Sequence, residues 1–265
     1  MNTTAILYAV AVLSGLGVVF GLVLTFADKA FAVAVDERVA RVREAVAGAN
    51  CGVCGYAGCD AYAEAVVSGE ASITACTPGG QDTFNALAEI MGQNACDVAP
   101  EVARLLCQGE NGVVKSRYDY KGTPSCHAAT QMAGGPTACA WGCVGFGDCV
   151  KACQFDAMEI VNGIVTIDEN KCTSCGLCVP ECPRSLIKLL PRAAKVTVRC
   201  LNAAGAKDAM AACSKACIAC KRCEKACNYD AIHVIDNCAI IDPEKCTLCG
   251  DCVKVCPTHC ITHQS

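Results

Sequence analysis

With 27 cysteines in 265 residues, against only 6 Phe, 6 Tyr and 1 Trp, the chain is far outside ordinary usage and holds little bulky material for a conventional core. Its 22 Lys and Arg against 26 Asp and Glu leave a net charge of −4, which offers no general basic surface for nucleic acid, and no base-reading motif is present. The odd number of cysteines and their C-x2-C runs weigh against a secreted disulfide scaffold, and favour bound metal that shares in the folding.

Residues 5–27 carry no charged side chain and have the length of a helix that crosses the hydrocarbon layer, so a single transmembrane anchor is expected over 1–28. A secretory signal is the competing reading, because Ala30-Phe31-Ala32 imitates a cleavage site. Against it, the first four residues lack Lys and Arg and the apolar stretch is long. Lys29, Arg38, Arg41 and Arg43 follow, and the positive-inside bias then predicts a single-pass protein of the inner (cell) membrane with its remaining domains in the cytoplasm. From Phe31 to Ala47, Val33, Val39, Val42 and Val46 recur among charged residues at helical spacing, as in an amphipathic helix that packs on the domain after it.

That domain, expected within 29–110, holds Cys51, Cys54, Cys59 and Cys76 in the spacing C-x2-C-x4-C-x16-C. Four thiolates suffice for one 4Fe-4S cluster, with a four-cysteine zinc site as the rival. Gly52, Gly55 and Gly58 let the backbone wrap a metal closely and aim amides at sulfur. Asp60 to Val67 reads as a helix. Asp82 to Cys107 reads as helical again, with Phe84, Leu87, Ile90 and Met91 on one side and Val98, Val102, Leu105 and Leu106 on another. Cys96, Cys107 and Cys126 show no ligand spacing and are read as buried thiols. A linker is expected over 111–135.

Beyond it the cysteines repeat at one offset: Cys143, Cys149, Cys153, Cys172, Cys175, Cys178 and Cys182 reappear 74 residues later as Cys217, Cys223, Cys227, Cys246, Cys249, Cys252 and Cys256. Each copy closes with C-x2-C-x2-C-x3-C-P and resembles a bacterial two-cluster ferredoxin, in modules over 136–190 and 213–265 joined by a linker over 191–212. The resemblance implies that the fourth cysteine of each run crosses to the other cluster. One cluster then takes Cys139, Cys143, Cys149 and Cys182, and its neighbour Cys172, Cys175, Cys178 and Cys153. In the second module Cys217, Cys220 and Cys223 join Cys256, while Cys246, Cys249 and Cys252 join Cys227. Cys213, the repeat of Cys139, competes with Cys220, which falls where the first module has Phe146; the compact run favours Cys220.

Hairpins are expected over 157–168, turning at Asn162-Gly163, and over 232–242, turning at Asp236-Asn237. Cys200, Cys238 and Cys260 are left over. Arg192, Lys195 and Arg199 make the second linker locally positive, either a solvated connector or a docking patch for an acidic electron carrier. The fold class read from all this is α+β: one membrane helix, a small helical four-iron domain and two tandem ferredoxin modules, with five 4Fe-4S clusters.

The order of features, an apolar N-terminus, the GANCGVCGYAGC stretch and a ferredoxin module opened by WGCVGFGDC, resembles the B subunit of the Rnf complex, a membrane-bound ferredoxin:NAD oxidoreductase that couples electron transfer to Na⁺ or H⁺ movement. The likeness covers residues 1 to about 190 closely and the rest as a further ferredoxin module. It implies an electron relay from soluble reduced ferredoxin to other Rnf-type membrane subunits, within an ion-translocating enzyme complex. A related complex that reduces a redox-sensing transcription regulator is the alternative; its B subunits tend to stop after one module. A zinc-binding membrane scaffold is the alternative of another class. The chain shows no dinucleotide fingerprint and no nucleophile with a positioned base, and His127, His233, His259 and His263 lack a ligand or triad context, so no substrate-converting site of its own is expected.

Overall fold

The computed structural model of the chain describes residues 3–30, 36–94 and 97–264. Its content is a mixture of helix and strand, but one expectation does not survive. Among the described residues no helix is long and apolar enough to cross a membrane, so the fold class loses its transmembrane anchor. Helix α1 (Thr3–Ala30) forms all the same. It does carry an exposed apolar surface, with Tyr8, Leu13 and Phe26 each at least 70% accessible.

Helix α2 (Glu37–Ala45) starts at Asp36, whose carboxylate accepts the Arg38 N–H at 2.9 Å, an ordinary N-cap. Val42 and Val46 are buried against α3 (Cys59–Ser68) and α4 (Gly80–Met91), the packing the valine periodicity predicts. Residues 31–35, the start of that periodicity, lie outside the described residues, as does Cys96. Gly69 (φ +83) and Gly92 (φ +62) end α3 and α4 in the left-handed region, which glycine enters at least cost. The helix expected to continue through Cys107 does not form. Pro100 cannot extend it, and β1 (Glu101–Leu105) is instead a strand, antiparallel to residues 187–191.

The first module continues with α5 (Cys126–Gln131), α6 (Asp148–Ala152), the hairpin β2 (Met158–Val161) and β3 (Ile164–Ile167), and β4 (Ile187–Pro191), the partner of β1. The second is built from β5 (Val196–Val198), α7 (Ala206–Ala212), α8 (Arg222–Ala226), the hairpin β6 (Ile232–Ile235) and β7 (Cys238–Ile241), α9 (Asp251–Val255) and β8 (Ile261–His263), which pairs with β5. The cysteine repeat is thus a backbone repeat. α6 and α8, the two hairpins, and the starts of β4 and β8 all stand 74 residues apart. Left-handed residues recur at the same offset, Asn162-Gly163 with Asp236-Asn237 and Gly176 with Gly250. Leu105 faces Ile187 as Val198 faces Ile261, so β1 and β5 occupy equivalent places.

Residues 113–116 knit the modules together. Lys115 N–H donates to the Ala212 carbonyl at 2.9 Å, Ser214 N–H to Val113 at 3.2 Å, and Ala138 N–H to Lys115 at 2.7 Å. The positive side chains of the second linker are likewise engaged in the fold. Lys195 meets Glu169 at 3.5 Å, and an Arg192 nitrogen donates to the Cys172 carbonyl at 3.4 Å. Among the described residues three separate apolar cores result: one around Tyr62 and Leu87, one around Leu105, Ile164 and Leu186, and one around Val198, Ile232 and Ile261.

Candidate metal centres

Cys51, Cys54, Cys59 and Cys76 line one hollow of about 310 Å³, with Tyr62 and Pro78 on its wall. The loop reaches this shape because Asn50, itself left-handed at φ 48, accepts the Cys59 N–H on its side-chain oxygen at 2.8 Å. The start of the cysteine loop is thereby tied to the start of α3. Buried Tyr62 donates its hydroxyl to the Ser72 carbonyl at 2.8 Å, and burial pushes its phenol up to about 12.

In the second module Cys227, Cys246, Cys249 and Cys252 line a hollow of about 340 Å³. Cys217, Cys220, Cys223 and Cys256 line another of about 300 Å³, joined there by Cys260. Cys213 lines neither. Burial lifts the Cys223 and Cys252 thiols to about 11. Cys256 is held down near 5 by hydrogen bonding from the Cys260 thiol, 3.5 Å away. Cys260 thus lies in contact with the Cys256 sulfur, a contact its isolated position in the sequence conceals.

In the first module the thiols bearing most on Cys178 through space are Cys175, Cys172 and Cys153. Those bearing on Cys149 are Cys143, Cys126, Cys182 and Cys178. Burial raises both Cys149 and Cys178 to about 12. Cys126 is the residue that sequence spacing overlooks. It opens α5, which Ser125 caps by accepting the Ala128 N–H at 3.4 Å while donating its hydroxyl to Asp148 at 2.8 Å. Asp148 also accepts the His127 N–H at 3.2 Å. One carboxylate thus ties the helix of Cys126 to the helix of Cys149. The signal lies in the repeat: Phe146 stands where the second module has Cys220, so a fourth donor must come from outside the compact run.

Cys139 borders a further group of thiols in a hollow that Cys143 also lines. The thiols that bear on it are Cys107, Cys200 and Cys213, and all four line a further hollow of about 380 Å³. Its loop is clamped by Arg184, whose guanidinium donates to Thr137 Oγ1 at 3.1 Å, to the Cys139 carbonyl at 3.0 Å and to the Gly142 carbonyl.

Among the described residues no three His, Cys, Asp or Glu side chains gather about a single ion position; the thiols surround hollows. The donor chemistry suits iron–sulfur clusters, which four thiolates hold while amides hydrogen-bond to the sulfurs. Ala103 N–H points at Cys172 sulfur at 3.4 Å and Leu186 N–H at Cys182 sulfur at 3.3 Å. Thiols pushed up by burial must also lose protons when metal binds, so loading and folding are coupled to proton release.

Known families agree with this chemistry. Residues 47–78 match the family described as "Putative Fe-S cluster". Residues 165–188 and 239–262 match a "4Fe-4S binding domain" family, and 214–230 a second family of that description. Over 97% of its length the chain is 46% identical to the B subunit of the Na(+)-translocating ferredoxin:NAD(+) oxidoreductase complex of Acetobacterium woodii, covering 78% of that protein. The chain belongs to the family of B subunits of ion-translocating oxidoreductase complexes. Within that family it is 38% identical to the B subunit of the ion-translocating oxidoreductase complex of Methanosarcina acetivorans, over 98% of each chain. It is 39% identical to the B subunit of the proton-translocating ferredoxin:NAD(+) oxidoreductase complex of Clostridium ljungdahlii, over 98% of this chain and 93% of that one. The B-subunit likeness therefore extends through the second module.

Proposed function

We propose that the chain is the polyferredoxin subunit of a membrane-associated, ion-translocating ferredoxin:NAD oxidoreductase, receiving electrons from soluble reduced ferredoxin and relaying them to partner subunits. The observation that carries this reading is the set of four-thiol hollows within a near-full-length B-subunit likeness. Five ligand sets follow. They are Cys51, Cys54, Cys59 and Cys76; Cys153, Cys172, Cys175 and Cys178; Cys227, Cys246, Cys249 and Cys252; Cys217, Cys220, Cys223 and Cys256; and Cys143, Cys149 and Cys182 with Cys126 in the place that spacing gives to Cys139.

The clusters, when bound, supply one-electron carriers at low potential. The chain's own part is to hold them, exclude water and set potential through hydrogen bonds to sulfur. Amides such as Ala103 and Leu186 stabilise the more negative, reduced state, whereas the apolar cores beside them oppose added charge. The exposed apolar side chains of α1 supply a surface for assembly with membrane partners. The names of the A. woodii and C. ljungdahlii relatives support ferredoxin as donor and NAD as the final acceptor of the complex. The test is deletion: membranes lacking this chain lose ferredoxin-dependent NAD reduction and regain it with the full-length chain. Retained activity would overturn the reading.

A further inference from the structure

We infer that the chain holds a sixth four-iron cluster, between the two modules, on Cys107, Cys139, Cys200 and Cys213. These four line the hollow of about 380 Å³, at least as large as those of the proposed sites. None belongs to the five sets above.

The four thiols are two repeats of one pair. Cys139 and Cys213 are 74 residues apart. Cys107 and Cys200 each lie two residues beyond the ends of the equivalent strands β1 and β5. Each module therefore gives the site one cysteine after its leading strand and one ahead of its first ligand run, in pseudo-twofold relation. The segment 113–116 that bonds to both 138 and 212 holds the two halves together.

Two of the thiols receive an amide from two residues on: Gly109 N–H donates to Cys107 sulfur at 3.3 Å and Asn202 N–H to Cys200 sulfur at 3.5 Å. A second amide reaches Cys107 from Cys143 at 3.4 Å, and Cys200 from Cys217 at 3.3 Å, again a pair at the 74-residue offset. Cys143 and Cys217 are ligands of the neighbouring clusters, so the new site is one backbone amide away from a cluster in each module.

Space and charge fit as well. A Cβ at Gly109 would sit 3.3 Å from Cys107 sulfur, and one at Gly142 would sit 3.5 Å from Cys139 sulfur and 3.8 Å from Cys107 sulfur, so two glycines keep the hollow open. Arg199 and Lys215 lie on its wall, with Arg199 donating to the Cys107 carbonyl at 3.0 Å; a cluster with four thiolates is anionic. Set between the modules, the cluster joins two separate ferredoxins into one conductor, passing on each electron it accepts.

The test is iron and acid-labile sulfide per chain on the full-length protein, purified anaerobically, with EPR of the reduced state. About 24 iron atoms are expected for six four-iron clusters, and about 20 would overturn the inference while leaving the five-cluster reading intact. The double variant C107S/C200S is expected to lose about four iron atoms and one EPR signal, and C213S alone the same cluster. An unchanged iron count in both variants would overturn the assignment. Should the variants fail to fold, the wild-type count still decides.

Discussion

The two ferredoxin modules share a backbone but recruit their ligands differently. In the second, Cys217, Cys220 and Cys223 supply three thiols from one short run, and the hollow they line needs only Cys256 from afar. In the first, Phe146 stands in place of the middle thiol, and the proposed fourth donor, Cys126, belongs to a separate helix tied by Asp148. A repeated fold can thus keep a metal site while moving one donor to another element, provided that a polar tie fixes the new helix.

The largest effects are expected from breaking that difference. C220S should cost the second module one cluster, and C126S should cost the first module one, each about four iron atoms by iron analysis. Loss on C139S of the cluster held by Cys143, Cys149 and Cys182, with no loss on C126S, would restore the assignment that spacing alone favours. A sharper test is F146C, which recreates the compact run: combined with C126S it should recover the lost iron.

Next comes the buried charge peculiar to the first module. Arg104, on β1, is almost wholly buried and pairs with Glu169 at 2.9 Å, whereas the equivalent place on β5 is Thr197, also buried. Replacing Glu169 by Gln leaves the buried guanidinium the Arg192 carbonyl at 3.4 Å but no carboxylate, and should destabilise the protein by about 3 kcal/mol, the upper end for a hydrogen bond to a charged group. Chemical denaturation of the holoprotein, with the iron signal and the far-UV signal followed together, would measure it. A cost near zero would mean that Arg104 is solvated by other groups.

Smallest are the hairpin turns. At Gly163 (φ +80) an added Cβ would meet the Asn111 side chain at 2.5 Å, so G163A should cost about 2 kcal/mol from left-handed strain and crowding. In the second module Asn237 (φ 62) already occupies the equivalent position, and N237G should change stability by only about 0.5 kcal/mol. Equal effects at both turns would contradict the packing described around Asn111.

Features carried by nearby residues were legible in the sequence. The C-x2-C runs, the Asn-Gly turn and the helix opening at Cys59 each depend on contacts a few residues long, and each forms where spacing predicts. Strand β1 was not, because Val102, Leu105 and Leu106 satisfy a helical period as well as a buried strand; Pro100 and the partner strand β4 decide it. Cys107, Cys126 and Cys200 were also opaque. Their fellow thiols lie far along the chain, and only the strand pairing and the Asp148 tie bring them near. The apolar N-terminus forms the helix α1, but the composition that suggested a membrane crossing specifies neither its partners nor its extent.

Whether the thiol hollows are cubane sites can be read by Mössbauer spectroscopy of the full-length chain, grown on ⁵⁷Fe and purified anaerobically. Essentially all the iron is expected as four-iron clusters whose valence-delocalised spectra change on one-electron reduction. Mononuclear iron, or little iron with stoichiometric zinc, would contradict it.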